Sequence, residues 1–228
     1  MQIVIDLVAI ALAYIIGSIP FGLLIVKLKT GKDIRQVESG RTGGTNAMRA
    51  AGFWAGFTVA MLDILKGAVA VWLAQWIAPE HHIVHVIAPL AAIVGHNYSI
   101  FLGERDERGK FRLRGGAGGA PSVGGAMGIW PGSILIILPL GMLTFFTIGI
   151  ASVTTMAVAL FVTIAFAVRA SQGLMPWADI WYGVGAEILL IWALRPNLKK
   201  LFEGNERIVK HSLNGWLRAR RERREARR

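Results

Sequence analysis

The chain has 228 residues, of which 54% are hydrophobic and only 17% are charged. A soluble domain carries about a quarter of charged residues, so the composition excludes an ordinary soluble domain and indicates an integral membrane protein. The formal charge of +11 lies in a few loops and one tail, a distribution that argues against nucleic-acid binding. The absence of cysteine excludes disulfides, thiol nucleophiles and cysteine metal sites.

Long apolar segments follow one another along the chain, and about 20 residues suffice to cross the hydrocarbon core. Seven segments are present, at residues 3–26, 53–77, 83–102, 119–130, 133–150, 152–168 and 177–194. We therefore predict an all-α, polytopic membrane protein with seven transmembrane helices. The fourth segment is short and rich in glycine, and six spans would result if it were re-entrant. The sequence GSIPFG at 17–22 is expected to kink the first span.

Lysine and arginine are concentrated in residues 27–49, in residues 103–118 and in the tail after the last span. Such residues mark cytoplasmic loops. With seven spans and the N-terminus outside, all three regions face the cytoplasm and only Arg169 lies in an external loop. We expect a multi-pass protein of the plasma (inner) membrane, with a seven-span domain at residues 1–204, a basic tail at 205–228, and both the active site and the C-terminus in the cytoplasm.

The loop at residues 38–49, ESGRTGGTNAMR, combines glycines with hydroxyls, an amide and two guanidinium groups. Glycine N–H groups that lead into a helix form a concave anion site, and arginine adds forked donors that suit phosphate. We interpret it as a cytoplasmic glycine-rich phosphate-binding loop. A simple glycine-rich turn between two membrane helices explains its composition equally well. No Gly-Lys-Ser/Thr follows, so it is not a P-loop.

A second loop, at residues 112–119, also combines glycines with arginines and lies on the same face in this topology. Two such loops suggest two phosphorylated ligands, or one ligand with two anionic groups. Taken alone, the second loop is better explained as ordinary positive charge on the cytoplasmic side.

Asp63 and Lys66 are three residues apart inside the second span and share one helix face. Charged residues inside a span are costly and are usually paired or functional. A structural pair is slightly favoured over a substrate contact. His96, in the third span, is more often a buried hydrogen-bonding group than a catalyst. The three histidines near the turn after the second span are interpreted as surface residues, and no metal site is predicted.

The segment after the last span carries Asn197, Lys199, Lys200 and Glu206, which could close over the same site. A basic stop-transfer segment is a strong alternative for the lysines and a weaker one for the other two. Residues 218–228 contain seven arginines. Polybasic segments next to a span bind anionic lipid, so we predict lipid-surface binding and no nucleic-acid partner.

Together, these motifs resemble the bacterial acyl-phosphate:glycerol-3-phosphate acyltransferases, and the resemblance covers nearly the whole chain. GSIPFG is one shared motif, and D-x-x-K-G is matched by Asp63, Lys66 and Gly67. The Gly95-His96 pair and Ser152 also match, and NLKKLFEGNE at 197–206 resembles N-I-x-R-L-x-x-G-x-E. The loop at 38–49 resembles S-G-N-x-G-A-T-N-x-x-R and retains Ser39, Gly40, Gly43, Thr45, Asn46 and Arg49.

The resemblance implies acyl transfer from acyl phosphate to the 1-hydroxyl of glycerol 3-phosphate, giving lysophosphatidic acid. Acyl phosphate is already activated, so no enzyme nucleophile is needed and positioning can supply most of the rate. No catalytic residue, cofactor or metal is assigned. The predicted substrate-binding residues are Ser39, Gly43, Thr45, Asn46, Arg49, Arg114, Ser152 and Asn197. Further candidates are Lys66, His96 and Glu206.

The chain departs from the family pattern at several positions. The second lysine of K-G-G-K-G is Ala117, the histidine three residues before the tail asparagine is Leu194, and the asparagine of S-G-N is Arg41. An insertion at about 104–112 precedes the second loop. Arg41, Arg112 and Arg114 are candidates to replace the lysine charge, and nothing evident replaces the histidine. A non-catalytic or altered-acceptor relative that binds a phosphorylated lipid precursor is therefore the alternative.

Overall fold

A computed structural model of the chain describes residues 1–105, 109–209 and 212–225. Its helices are α1 (Gln2–Ser18), α2 (Phe21–Thr30), α3 (Gly44–Ala51), α4 (Phe53–Ile77), α5 (His82–Asn97), α6 (Gly119–Ile129), α7 (Ile134–Ile148), α8 (Ala151–Ser171), α9 (Ile180–Phe202) and α10 (Leu213–Glu225). Short 3-10 turns lie at Ile34–Gln36, Ile100–Leu102, Pro131–Ser133 and Trp177–Asp179. Two short antiparallel strands, β1 (Gly103–Arg105) and β2 (Phe111–Leu113), form a hairpin.

Six helical segments of the described chain are long and apolar enough to cross a membrane. They are residues 2–30 (α1 with α2), α4, 82–102, 131–148, α8 and 177–202. This confirms a helical, multi-pass membrane protein. The predicted fourth span corresponds to α6, which has 11 residues. At about 1.5 Å per residue, α6 is only about 16 Å long, shorter than the hydrocarbon core of about 30 Å. Its length therefore does not confirm a seventh span.

The predicted kink in the first span is a complete break, because α1 ends at Ser18 and α2 begins at Phe21. Glycines allow α1, just before this break, to pack closely against α5. A Cβ atom on Gly17 would lie 2.1 Å from the carbonyl oxygen of Ala92, and one on Gly95 would lie 2.2 Å from that of Tyr14. The two backbones are in contact, as is typical of small residues at membrane helix interfaces.

Helix α6 lies in the middle of the bundle, and its glycines explain how it fits there. A Cβ atom on Gly124 would lie 1.8 Å from the carbonyl oxygen of Ile64 in α4. On another face, the Tyr182 hydroxyl of α9 donates to the carbonyl oxygen of Ser122 at 2.7 Å. The glycine-rich composition of this segment is therefore a requirement of close helix packing.

Contacts between loops define two ends of the bundle. At one end, His81 Nδ1 and Asp6 Oδ2 are 2.7 Å apart, and Arg169 stacks over Trp130 at the end of α6. At the other end lie the glycine-rich loops, the turn after α7 and the segment after α9. Helix α6 begins at this second end, where Gly118 contacts Asn97. It therefore runs from one end of the bundle to the other.

The histidines near the turn after α4 make more contacts with protein groups than the sequence indicated. His81 contacts Asp6, and His82 Nε2 lies 2.7 Å from Asp179 Oδ1. His85 is 9% exposed and contacts the carbonyl oxygen of Ala78, so the prediction of a surface residue is wrong for His85. In residues 1–105, 109–209 and 212–225, no three His, Cys, Asp or Glu side chains are grouped as metal ligands.

The described part of the tail is hydrogen-bonded to the helical body. The Val209 N–H donates to the carbonyl oxygen of Gly149 at 2.7 Å, and Asn214 Nδ2 donates to that of Ile148 at 3.0 Å. The division at residue 204 stays a prediction. The β1–β2 hairpin lies within the inserted segment, whose residues 106–108 are outside the described chain, as are 210–211 and 226–228 of the tail.

Candidate functional site

The loop at residues 38–49 folds around the side chain of Asn46. Asn46 is buried, and its Nδ2 donates to the carbonyl oxygens of Ile34 (3.3 Å), Val37 (2.9 Å) and Arg41 (2.8 Å). Gly40, between these acceptors, has a φ of 67°, a left-handed conformation that glycine adopts without strain. The amide nitrogen of Asn46 therefore has no free donor. Asn46 was predicted to contact substrate, and the structure places it at the centre of the loop, bound to backbone carbonyls.

Helix α3 begins inside this loop and presents unpaired backbone donors. Within the described ranges, the N–H groups of Gly44 and Thr45 donate to no protein acceptor. The first N–H groups of a helix have no partner inside the helix, and they attract anions together with the helix dipole. Gly43 precedes them, and no heavy atom lies within 4 Å of the position of its missing Cβ. Ser39 is exposed nearby, and its Oγ accepts from the Arg41 N–H at 3.4 Å.

Arg49 lies four residues after Thr45 and therefore on the same face of α3. In the described part of the chain, its guanidinium group makes no hydrogen bond or ion pair. Partial burial and the positive charge of Arg207 lower the pKa of Arg49, whereas Glu38 and Glu206 act to raise it. Arginine stays charged in proteins, so Arg49 is a cation with free donors beside the start of α3.

Arg41 joins this loop to two distant segments. Its Nη1 donates to the carbonyl oxygen of Gly116 at 2.8 Å, and its Nη2 donates to that of Ala193 at 2.7 Å and to Asn197 Oδ1 at 3.1 Å. Asn197 Nδ2 in turn donates to Glu206 Oε1 at 3.0 Å. Burial lowers the pKa of Arg41, and the charge of Glu206 partly opposes this.

The two glycine-rich loops, which were predicted to lie on the same face of the membrane, are in contact. The Thr42 N–H donates to the carbonyl oxygen of Gly115 at 3.2 Å. A Cβ atom on Gly116 would lie 1.9 Å from Nε2 of His96. Gly115 and Gly116 therefore pack directly on the end of α5, and larger residues would push the loop away.

Lys66 and His96 form a buried network with Asp63 beneath Gly116. Lys66 Nζ lies 2.8 Å from Asp63 Oδ1, 2.9 Å from His96 Nδ1 and 3.0 Å from the carbonyl oxygen of Ile19. The three side chains are at most 5% exposed. An ammonium group carries three donors, and these three contacts surround it. The geometry thus supports the structural interpretation of the Asp63–Lys66 pair and leaves Lys66 little capacity for substrate.

Comparison with known proteins identifies the family of this arrangement. Residues 7–204 match the family model described as glycerol-3-phosphate acyltransferase. The chain belongs to this family.

Among relatives, a glycerol-3-phosphate acyltransferase of Thermus thermophilus is 35% identical over 196 residues, which cover 86% of this chain and 91% of the relative. One from an Anaeromyxobacter species is 32% identical over 208 residues, covering 90% and 96%. Two crystal structures of PlsY (YgiH), an integral membrane glycerol 3-phosphate acyltransferase, share its fold. The glycerol 3-phosphate form has a TM-score of 0.74 at 28% identity, and the lysophosphatidic acid form has 0.72 at 26%. Each covers 89% of this chain, which in turn covers 94% of the PlsY chain.

The remaining predicted site residues of this acyltransferase make fewer contacts with the loop at residues 38–49. Arg114 forms an ion pair with Glu104 of β1, and its Nη1 lies 3.5 Å from the position of the missing Cβ of Gly40. Ser152, in the first turn of α8, is 2% exposed, and its Oγ has no partner in the described chain. Glu206 Oε2 is likewise buried without a described partner. Buried, unpaired oxygens are expected next to ligand or water.

Proposed function

We propose that the protein transfers an acyl group from an acyl phosphate to the 1-hydroxyl of glycerol 3-phosphate, which yields lysophosphatidic acid and phosphate. The observation that carries the proposal is the group of unpaired cationic and N–H donors at the start of α3, where both glycine-rich loops meet, in a chain of this family. The names of its relatives and the two ligand forms of PlsY support the same substrate and product.

The reaction requires positioning more than covalent chemistry. The glycerol hydroxyl attacks the acyl carbon, the bond between that carbon and the phosphate oxygen breaks, and the departing phosphate accepts the hydroxyl proton. The N–H groups of Gly44 and Thr45, together with Arg49, would bind a phosphate and neutralise charge that develops on it. No step needs an enzyme nucleophile, a cofactor or a metal.

The predicted site residues fall into two groups under this proposal. Arg49, Thr45, Gly43, Ser39 and Ser152 carry donors or open surface for direct contact. Asn46 and Asn197 act by positioning, because their amide nitrogens already donate to protein groups, although Asn46 Oδ1 is buried without a described partner. Arg114 is a weaker candidate for the substitute cation, since Glu104 neutralises it.

The proposed function is tested with purified protein reconstituted in lipid, palmitoyl phosphate and glycerol 3-phosphate. We expect lysophosphatidic acid and phosphate in equal amounts, and no lysophosphatidic acid when glycerol 3-phosphate is omitted. Because Ala117 and Leu194 depart from the family pattern, other polyol phosphates form a parallel series. Turnover with one of these polyol phosphates, and none with glycerol 3-phosphate, would favour an altered acceptor. A substrate that raises the Tm of the protein without any product being formed would favour a non-catalytic binder.

We further propose seven crossings of the plasma (inner) membrane, with the N-terminus outside and the site in the cytoplasm. The direction of α6, from the loops at one end to Trp130 at the other, supports its crossing within the protein. The charges support the orientation, since Arg169, in the last turn of α8, is the only Lys or Arg at the Trp130 end of the described chain. Protein neighbours, in place of lipid, would then surround the short helix.

Single cysteines test this topology, because the chain has none of its own. Phe111→Cys and Pro131→Cys flank α6 at exposed positions. In intact spheroplasts, a membrane-impermeant maleimide should label Pro131→Cys at once and Phe111→Cys only after permeabilisation. Glu80→Cys, in the exposed turn after α4, is the external control. Equal labelling of the two flanking positions would mean that α6 is re-entrant.

We propose that α10 lies on anionic lipid. Its exposed Leu213, Trp216 and Leu217 share one face, and Arg220 stacks over Trp216 at 5.3 Å. Each arginine near an anionic surface adds about 1 kcal/mol of attraction. A nucleic-acid partner is not expected, because the charge is accounted for by the membrane surface.

The lipid contact of α10 predicts a difference between its two faces. A bimane label on Leu217→Cys should be protected from an aqueous quencher in vesicles that contain phosphatidylglycerol, and less so in phosphatidylcholine or high salt. The label on Glu222→Cys, on the opposite face, should stay accessible in all three conditions. Equal quenching at both positions in anionic vesicles would contradict the proposal.

A further inference from the structure

The guanidinium group of Arg41 is hydrogen-bonded next to two positions where this chain departs from the family pattern. It binds the carbonyl oxygens of Gly116 and Ala193, which immediately precede Ala117 and Leu194. The third departure, Arg41 itself, replaces an asparagine. These three positions are distant in sequence, yet the hydrogen bonds of Arg41 bring them into one small region.

Arg41 is also a partly buried charge without a carboxylate in direct contact. No Asp or Glu of the described chain lies within ion-pair distance of Arg41. Burial lowers the pKa of Arg41, and Tyr98 and Glu206 act to raise it; the Oε1 atom of Glu206 already accepts from Asn197. A buried charge that is not fully neutralised is costly, and an anionic ligand would remove that cost.

The hydrogen bonds of Arg41 leave it able to bind such a ligand. A guanidinium group has five N–H donors, and three of them are used by Gly116, Ala193 and Asn197. These contacts fix the plane of the group, so its remaining donors have a set direction. A fixed, forked cation is well suited to a phosphate group.

We propose that Arg41 is the phosphate-binding cation of this region and takes the place of the lysine and histidine of the family pattern at positions 117 and 194. The inference rests on the proposed function and names the residue that completes its site. The ligand group is a phosphate monoester, supplied either by glycerol 3-phosphate or by the acyl phosphate. Ala117 and Leu194 then form one coupled set with Arg41, because a Lys or His beside a fixed guanidinium would place like charges within a few ångströms.

This coupling is tested by introducing the residues of the family pattern at position 41, at positions 117 and 194, and at all three positions together. We compare R41N, A117K/L194H and the triple variant R41N/A117K/L194H by kcat and KM for each substrate. R41N should lower kcat/KM about a hundredfold, the loss expected for one preorganised donor, mainly through the KM of the substrate whose phosphate it binds. The triple variant should be at least about tenfold more active than R41N. A117K/L194H, with Arg41 present, should be less active than the wild type.

The controls separate a binding role from a structural one. R195N removes an exposed arginine that stacks on Trp192 near the end of α9, and it should keep the wild-type KM values. R41K keeps the charge without the fork and is measured in case R41N does not fold. A rise in KM for glycerol 3-phosphate or for palmitoyl phosphate identifies which phosphate is bound. The substrate whose KM rises should also raise the Tm of the wild type more than that of R41K.

Two results would overturn the proposal. One is an unchanged KM for both substrates in R41K and in any folded R41N. The other is a triple variant no more active than R41N. Wild-type turnover is established first, so failure of the proposed acyl transfer is seen in the wild type and is distinct from failure of the role of Arg41.

Discussion

Arg49→Ala is expected to reduce acyl transfer about a thousandfold while the protein remains folded. The guanidinium group has no hydrogen-bond or ion-pair partner in the described chain, so its removal breaks no such interaction of the fold. It lies on the face of α3 that carries Thr45, beside N–H groups that donate to no protein acceptor. Loss of a preorganised cation at a phosphate would remove about 4 kcal/mol of transition-state stabilisation.

The measurement is lysophosphatidic acid formation by reconstituted protein, with Tm recorded for each variant. Arg49→Lys should recover part of the activity, because it restores the charge without the forked donors. Arg195→Ala, an exposed arginine near the end of α9, serves as the matched control and should stay active. Wild-type turnover in Arg49→Ala would remove the loop at 38–49 from the substrate site.

Lys66→Met should destabilise the protein by about 3–5 kcal/mol, the range found when one partner of a buried ion pair is removed. Asp63 is 1% exposed and lies 2.8 Å from Lys66 Nζ, so the change leaves a buried carboxylate without its cation. The hydrogen bond from Lys66 to the carbonyl oxygen of Ile19, at the break between α1 and α2, is lost as well.

The double variant Asp63→Leu/Lys66→Met separates the charge effect from general disruption of the helix. It removes both charges, so it should cost clearly less than the single variant. Unfolding in mixed micelles, followed by circular dichroism, gives the free energies. A double variant as unstable as the single one would show that packing, and not the unpaired charge, dominates at this position.

Much of the helical architecture follows from the sequence, because hydrophobic length specifies membrane spans directly. The predicted second span, residues 53–77, coincides with α4, and the break in GSIPFG separates α1 from α2. The β1–β2 hairpin was not predicted, since its strands, 103–105 and 111–113, have three residues each and are too short for an alternation of apolar side chains to identify them.

The site is less predictable, because residue type does not reveal which groups the fold has already engaged. Asn46 and Arg49 are both typical phosphate-binding residues, yet one holds three backbone carbonyls and the other holds no described partner. The bond from Arg41 to Asn197 spans 156 residues, and nothing local in the sequence indicates it. The coincidence of three departures from one family pattern was the available signal.

The glycine packing of α6 has a consequence for how this sequence can change over time. Substitutions at Gly124 meet the backbone of α4, which cannot move aside as a flexible side chain can. In α7, by contrast, Leu135 and Leu143 are exposed, so one apolar residue can replace another there at little cost. Mutational drift should therefore be slow in α6 and fast in its neighbour α7, although both helices consist mainly of apolar residues.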